Sequence, residues 1–143
     1  MKEKPWSHNL PAWGRYVVTF ASAILCGLIG TFAHRVGAAS NMPIGLVVAF
    51  LLILISTWCA RSRTGILGLL LHVICSSAVV WIMALRIIGN DVLVPVGFYA
   101  QLPWLSQNAG RIWIYGVVVL PLLMIFLPSK FFSMAKKDTN RLS

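Results

Sequence analysis

Four long apolar stretches dominate this chain of 143 residues and restrict its structure more than any other feature. They run over residues 14–33, 44–60, 64–85 and 112–127. A helix needs roughly 20 apolar residues, within a range of about 17–25, to cross a hydrocarbon core about 30 Å thick. The sequence therefore predicts four transmembrane helices. The first stretch is longer than the apolar core of a signal peptide, which has about 7–15 residues, so we expect it to be retained.

The composition excludes an ordinary soluble domain. Hydrophobic residues make up 59% of the chain and charged residues 10%, whereas soluble domains have about 45–50% and about 25%. Disorder is also excluded, because disordered chains combine low hydrophobicity with a high density of charge. No internal repeat or second domain is evident. We therefore predict a single all-α integral membrane domain over residues 1–143, folded as a four-helix transmembrane bundle.

The basic residues predict how this bundle is oriented. With four spans, the N-terminus, the second connection and the C-terminus share one side of the membrane. The nine Lys and Arg residues on that side are Lys2, Lys4, Arg15, Arg61, Arg63, Lys130, Lys136, Lys137 and Arg141, and the three on the other side are Arg35, Arg86 and Arg111. Because cytoplasmic loops are enriched in Lys and Arg, both termini are predicted to be cytoplasmic. Residues 129–143 then form a basic cytoplasmic tail.

The net charge of +9 is explained by this topology and by contacts with anionic lipids, so we expect no nucleic-acid partner. Aromatic residues lie at both predicted boundaries. Trp58 and Phe132 fall near the inner one, and Trp104 and Trp113 fall near the outer one. This placement fits the preference of aromatic rings for the headgroup level.

The predicted outer connection between the third and fourth spans, residues 88–110, is long and largely apolar. A loop of this length is usually functional or disordered, and its aromatic residues argue against disorder. Two alternatives follow. The segment forms a cap on the outer membrane face, or it docks on a partner.

Small residues predict which helices pack closely, because lipid gives no hydrophobic drive for helix association and close backbone approach needs small side chains. The small residues of the first span are Ser22, Cys26, Gly27 and Gly30, and those of the third are Gly65 and Gly68. We therefore expect the first and third spans to form a central pair. The second and fourth spans are expected to face lipid.

His72, with Ser76 one turn further along the third span, is the candidate intramembrane polar site. An ionisable residue inside a span is a functional hypothesis by default. The structural alternative is a neutral imidazole that bonds a Ser, a Thr or a carbonyl group of the facing helix. No carboxylate lies in any span to complete a proton relay, which favours the structural alternative.

A second candidate cluster lies at the outer boundary and consists of Arg35, Arg86, Asp91 and Arg111. The favoured interpretation is a set of ion pairs that fixes the long loop to the helix ends. The alternative is a site for an anion or a phospholipid headgroup, since the guanidinium fork matches phosphate oxygens.

Signatures of enzymes and cofactor proteins are missing from the sequence. No set of Ser, His and Asp or of Cys and His converges, and no pair of carboxylates is available for acid–base catalysis. His34 and His72 are predicted to lie about 18 Å apart in depth, so they cannot share one metal or haem. We therefore expect no enzyme activity, no catalytic residue, no cofactor and no metal site. The three cysteines are expected to be small buried apolar side chains rather than members of a disulfide framework.

Several short motifs resemble a family of small four-span integral membrane proteins of high-GC Gram-positive bacteria. They are GLIGTFAHR at 27–35, PIGL at 43–46, RSRTG at 61–65 and GNDVLVP at 89–95. The resemblance implies a location in the bacterial plasma membrane. It implies no activity, because that family has none assigned.

The function predicted from these features is that of a non-enzymatic accessory or scaffold subunit in a larger membrane complex. Its partners would be membrane lipids and either other integral membrane subunits or a second copy of itself. One alternative is an oligomeric transporter or channel whose path is lined by the third span. Another is a lipid-binding or envelope protein that uses the outer arginines.

Overall fold

A computed structural model describes residues 5–85, 94 and 101–132 of the chain. The three long helices are α1 (Ala12–Ala33), α2 (Ile44–Ala84) and α3 (Trp104–Leu123). Short 3-10 helical turns occupy Trp6–His8, Ala38–Ser40, Met124–Phe126 and Ser129–Phe131. Because these described residues contain helices and no strand, the prediction of an all-α fold is confirmed.

Within residues 5–85, 94 and 101–132, three helices are long and apolar enough to cross a membrane, namely α1, α2 and α3 with its 3-10 extension to Phe126. The chain is therefore suited to a membrane, as predicted. The helix count differs from the four predicted stretches, because the second and third stretches together form α2, which has 41 residues. The residues between those stretches, Arg61 to Arg63, include no glycine or proline and stay helical.

The helix α2 reverses its direction at Gly65, where φ is 70° and ψ is −152°, a backbone region that is essentially restricted to glycine. The oxygen Oγ of Ser56 lies 2.7 Å from Nε2 of His72, which is 16 residues further along the chain. In a straight helix that separation would be about 24 Å. Two arms therefore lie side by side, and we call residues 44–64 the first arm and residues 66–84 the second arm.

The start of α3 differs from the prediction. The helix begins at Trp104, eight residues before the predicted start at 112, so the prediction of a loop over 88–110 is wrong for residues 104–110. The reason is a buried stripe at a spacing of four residues, formed by Leu105, Ala109, Trp113 and Val117. It continues the helical pattern through the polar residues that the hydropathy pattern assigned to the loop.

One end of the bundle is organised around Trp113, whose side chain is fully buried. Its Nε1–H donates to Oγ1 of Thr31 at 3.2 Å, and its ring lies 5.5 Å from that of Phe50. Beside it, the backbone N–H of Leu105 donates to Oδ1 of Asn41 at 3.0 Å. We call this region, residues 31–45 and 104–113, the Trp113 end.

The opposite end brings together the start of α1, the reversal in α2 and the end of α3. Nη1 of Arg15 lies 3.4 Å from the carbonyl oxygen of Arg63, and Nη2 of Arg61 donates to the carbonyl of Leu127 at 2.9 Å. We call this region, residues 5–15, 58–66 and 124–132, the basic end.

The first arm is more central than the sequence predicted. It was expected to face lipid, yet Ala49, Ile53 and Thr57, which follow one another at a spacing of four, are fully buried. The expected contact between the first span and the third is present, because Gly27 of α1 lies against Ser76 and Val79 of the second arm.

Candidate functional site

His72 is fully buried between the two arms of α2. Its Nε2 lies 2.7 Å from Oγ of Ser56 and its Nδ1 lies 3.1 Å from Oγ1 of Thr57. The Thr57 hydroxyl donates its own hydrogen to the carbonyl of Ile53 at 2.7 Å, so it accepts from Nδ1–H. Nε2 then accepts the hydrogen of Ser56, which assigns a neutral imidazole from the hydrogen-bond network. The ring joins the two arms with both of its nitrogens.

Ser76, the predicted companion of His72, takes no part in this network. Its hydroxyl donates to the carbonyl of Val73 in its own arm at 3.3 Å. The partners Ser56 and Thr57 were missed by the sequence reasoning. A signal was available, because these adjacent hydroxyl residues lie about as far before Gly65 as His72 lies after it.

The predicted packing residues divide into two groups. A Cβ placed on Gly27, Gly30 or Gly68 would press against neighbouring atoms, of Ser76, Trp113 and Thr64 respectively, and Cys26 is buried as well. Ser22 is half-buried, and its hydroxyl donates to the carbonyl of Thr19. The assignment of Gly65 to helix packing is wrong, since nothing lies within 4 Å of a Cβ placed there. That glycine supplies the positive φ of the reversal instead.

The predicted outer cluster can be placed only in part. Arg86 and Asp91 lie outside the described residues. Arg35 is half-buried beyond the end of α1, and Arg111 is exposed on α3. Both belong to the Trp113 end.

His34, next to Arg35, is buried with its ring stacked on Trp113 at a centroid distance of 6.1 Å. Its Nδ1–H donates to the carbonyl of Thr31. Burial lowers the pKa of His34 below the usual 6.5. The bond to Thr31 opposes this shift, and the positive charge of Arg35 adds to it.

Metal ligands do not gather in the part of the chain that the structure describes: no group of three His, Cys, Asp or Glu residues is close enough to hold an ion. The three cysteines, Cys26, Cys59 and Cys75, are free thiols. Cys26 is buried as expected, whereas Cys59 is exposed, so the expectation of a buried side chain is wrong for Cys59. His34 and His72 lie apart, His34 against Trp113 and His72 between the arms of α2.

The basic end contains a feature that the sequence analysis did not identify. A cavity of about 310 Å³ opens there and is lined in part by His8, Arg63 and Trp58. Its two basic residues differ from the neighbouring Arg61, whose guanidinium donates to the carbonyls of Met124 and Leu127 and lies 4.0 Å from the centre of the Phe132 ring. Arg61 therefore links the end of α3 to the reversal in α2, whereas Arg63 lines the cavity.

Comparisons of the chain with protein-family models, with curated proteins and with solved structures found no match. The resemblance to small four-span proteins of high-GC Gram-positive bacteria therefore stays a prediction.

Proposed function

We propose that the chain crosses a bacterial plasma membrane four times, with both termini in the cytoplasm. The reversal at Gly65 supports this count, because arms of 21 (44–64) and 19 (66–84) residues are about 31 and 28 Å long, close to the hydrocarbon thickness of about 30 Å. The distribution of charge supports the orientation. Arg15, Arg61 and Arg63 lie at the basic end, which is the end that we place in the cytoplasm.

Reporter fusions test this topology. We expect a reporter inserted after Ser40 to lie in the outer compartment. A reporter inserted after Gly65 is expected to lie in the cytoplasm. The fusion at the C-terminus serves as the matched control and is expected to agree with the one after Gly65. If the reporters after Ser40 and Gly65 report the same compartment, the two arms do not cross the membrane separately and the proposal fails.

We further propose that the protein is a non-enzymatic accessory or scaffold subunit of a larger membrane assembly. The observation that carries this proposal is the environment of His72. Both ring nitrogens bond hydroxyls of the same chain, so this polar group joins two arms rather than offering itself to a passing solute.

The surface offered to a partner is aliphatic. On the first arm, Val47, Leu51 and Ile55 are each more than half exposed, and their spacing of four places them on one helix face. Ile53, on the opposite side of the same arm, is fully buried. We propose that this exposed face packs against another integral membrane subunit, with lipid covering the remaining apolar surface.

Photo-crosslinking in living cells tests the subunit proposal. We expect a photoreactive amino acid at Leu51 to give one crosslinked partner at fixed stoichiometry in mild detergent. The same amino acid at the buried Ile53 is the control and should give crosslinks only within the chain. Recovery of an uncrosslinked monomer from positions 47, 51 and 55 would contradict the proposal. A closed homo-oligomer that conducts a solute would favour the channel alternative instead.

A further inference from the structure

We propose that the basic end binds an anionic phospholipid, whose phosphate occupies the cavity beside His8 and Arg63 and whose acyl chain lies in an adjoining apolar groove. This inference goes beyond the accessory role and does not depend on it. It requires only that the helices lie in a membrane.

The first argument is a concentration of buried side-chain nitrogens without hydrogen-bond partners. Among the described residues, buried nitrogens with no partner at the basic end are Nδ1 and Nε2 of His8, Nε of Arg15, and Nε and Nη2 of Arg63. A guanidinium group stays protonated in proteins. Burying part of such a group without a hydrogen-bond acceptor costs free energy, so an acceptor with several oxygens is the chemistry that would satisfy these nitrogens.

The described residues themselves supply no anion for these donors. The three acidic residues of the chain are Glu3, Asp91 and Asp138, and none of them belongs to residues 5–85, 94 or 101–132. Arg61 at the same end differs from Arg63, because its guanidinium group contacts two backbone carbonyls and an aromatic ring. Arg63 lines the cavity and has two nitrogens left over.

The second argument is the continuity of the cavity with an apolar groove. The groove has a volume of about 310 Å³ and is lined by Leu54, Ile55, Trp58, Cys59 and Met124. Trp58 and Cys59 line the polar cavity as well, so the two spaces adjoin. The groove follows the first arm away from the basic end, which is the direction in which an acyl chain enters the membrane.

A polar space with donors next to an apolar groove fits an amphipathic anion better than a free ion. Phosphate oxygens match the fork of an arginine side chain, and bonds to an ionised acceptor are about twice as strong as neutral ones. Trp58 lies where the two spaces meet, in keeping with the preference of Trp for the boundary between headgroups and acyl chains. A headgroup such as phosphoglycerol satisfies the donors without bringing an ammonium group of its own.

Native mass spectrometry of the full-length protein in mild detergent tests this site. We expect phosphatidylglycerol to bind at one copy per chain and in preference to phosphatidylcholine with the same acyl chains. The variant Arg63→Gln should weaken the binding of phosphatidylglycerol about tenfold, because it removes charge-assisted bonds. The matched control Lys130→Gln, which removes an exposed cation of the same end that lines neither the cavity nor the groove, should leave binding unchanged.

Two further variants separate the possible outcomes. His8→Gln lies outside the long helices and tests the same cavity if Arg63→Gln does not fold. Cys59→Phe fills the groove, and we expect it to weaken lipid binding while leaving the melting temperature unchanged.

Equal losses for Arg63→Gln and Lys130→Gln would overturn the proposal, since they indicate general attraction of anions to a basic protein. Displacement of the lipid by an equal concentration of inorganic phosphate, with no effect of Cys59→Phe, would also overturn it in favour of a free-anion site. Binding that appears only in Glu3→Gln would also overturn the proposal for the wild-type chain.

Discussion

The two ends of the bundle differ in whether their buried polar groups have hydrogen-bond partners within the described chain. At the Trp113 end, the indole N–H of Trp113 and the backbone N–H of Leu105 each find an acceptor in the chain. Nε2 of His34 is the unpartnered nitrogen there, and it belongs to a ring whose lowered pKa favours the neutral form. At the basic end, Arg63 keeps unpartnered nitrogens on a charged group. The charged group without acceptors therefore lies at the basic end, where we propose that an anionic lipid supplies them.

The largest effect that sharpens this comparison is expected from Trp113→Ala. Its side chain is fully buried against Gly30, Thr31 and Phe50. Removing a buried Trp should lower the free energy of unfolding by about 3–5 kcal/mol, measured by equilibrium unfolding in detergent. Trp104→Ala, in the same helix but 65% exposed, is the control and should cost much less. Equal losses would mean that the Trp113 end is not held by this packing.

Gly65→Ala should have the next largest effect, at the basic end. Space is not the reason, because nothing lies near a Cβ at this position. The cost arises from the backbone, which at φ 70° and ψ −152° should disfavour a side chain by about 1–3 kcal/mol. Unfolding measurements on Gly65→Ala and on Ile66→Ala, an exposed neighbour, give the test. A loss for Ile66→Ala as large as that for Gly65→Ala would argue against a backbone cause.

A smaller effect is expected between the two ends, where Ser56 meets His72. Hydrogen bonds between membrane helices contribute on average about 0.6 kcal/mol and up to about 1.7 kcal/mol. A double-mutant cycle with Ser56→Ala and His72→Phe should return a coupling energy in that range. Repeating the cycle with Ser77→Ala, a hydroxyl without a hydrogen-bond partner, should return none. Zero coupling for Ser56 would leave the bond to Thr57 as the link between the imidazole and the first arm.

The smallest expected change is a pH dependence at the Trp113 end. Burial lowers the pKa of His34 in the folded protein, so the unfolded chain binds the proton more readily. The free energy of unfolding should therefore fall as the pH drops through about 6.5, the usual pKa of histidine. The melting temperatures of the wild type and of His34→Gln are measured in detergent at intervals of about one pH unit between about pH 8 and pH 5, the range in which histidine titrates. An identical pH dependence in both proteins would contradict the assignment to His34.

The apolar periodicity was sufficient to predict the helical class and the position of α1, because burial in lipid demands long apolar stretches. The start of α3 was missed because Gln107 and Asn108 lower the local hydropathy, although they stay on a helix. Trp113 was predicted to be an interfacial anchor, and the structure buries it completely. A tryptophan side chain is amphipathic, so the sequence alone favours a position at the membrane boundary. The buried position of Trp113 depends on Gly30 of the facing helix, which leaves room for the indole ring.

The polar partners were harder to predict than the helices. His72 was singled out because it is ionisable, but its contacts depend on where the chain reverses. A reversal at Gly65 brings Ser56 and Thr57 opposite the imidazole, whereas placing the turn a few residues earlier would change the register. The cavity at the basic end draws on residues from the N-terminal segment, the reversal and the C-terminal segment, and a linear sequence carries no signal for such a meeting.

The bond from Leu105 to Asn41 has a consequence for the order in which the protein is made. The acceptor comes 64 residues before the donor, so Asn41 has left the ribosome well before Leu105 is synthesised. The first turn of the last helix has an amide that no earlier turn of that helix can satisfy, and a loop made much earlier in translation supplies the oxygen. The N-terminal turn of α3 therefore gains its acceptor from a residue that was synthesised before the helix itself.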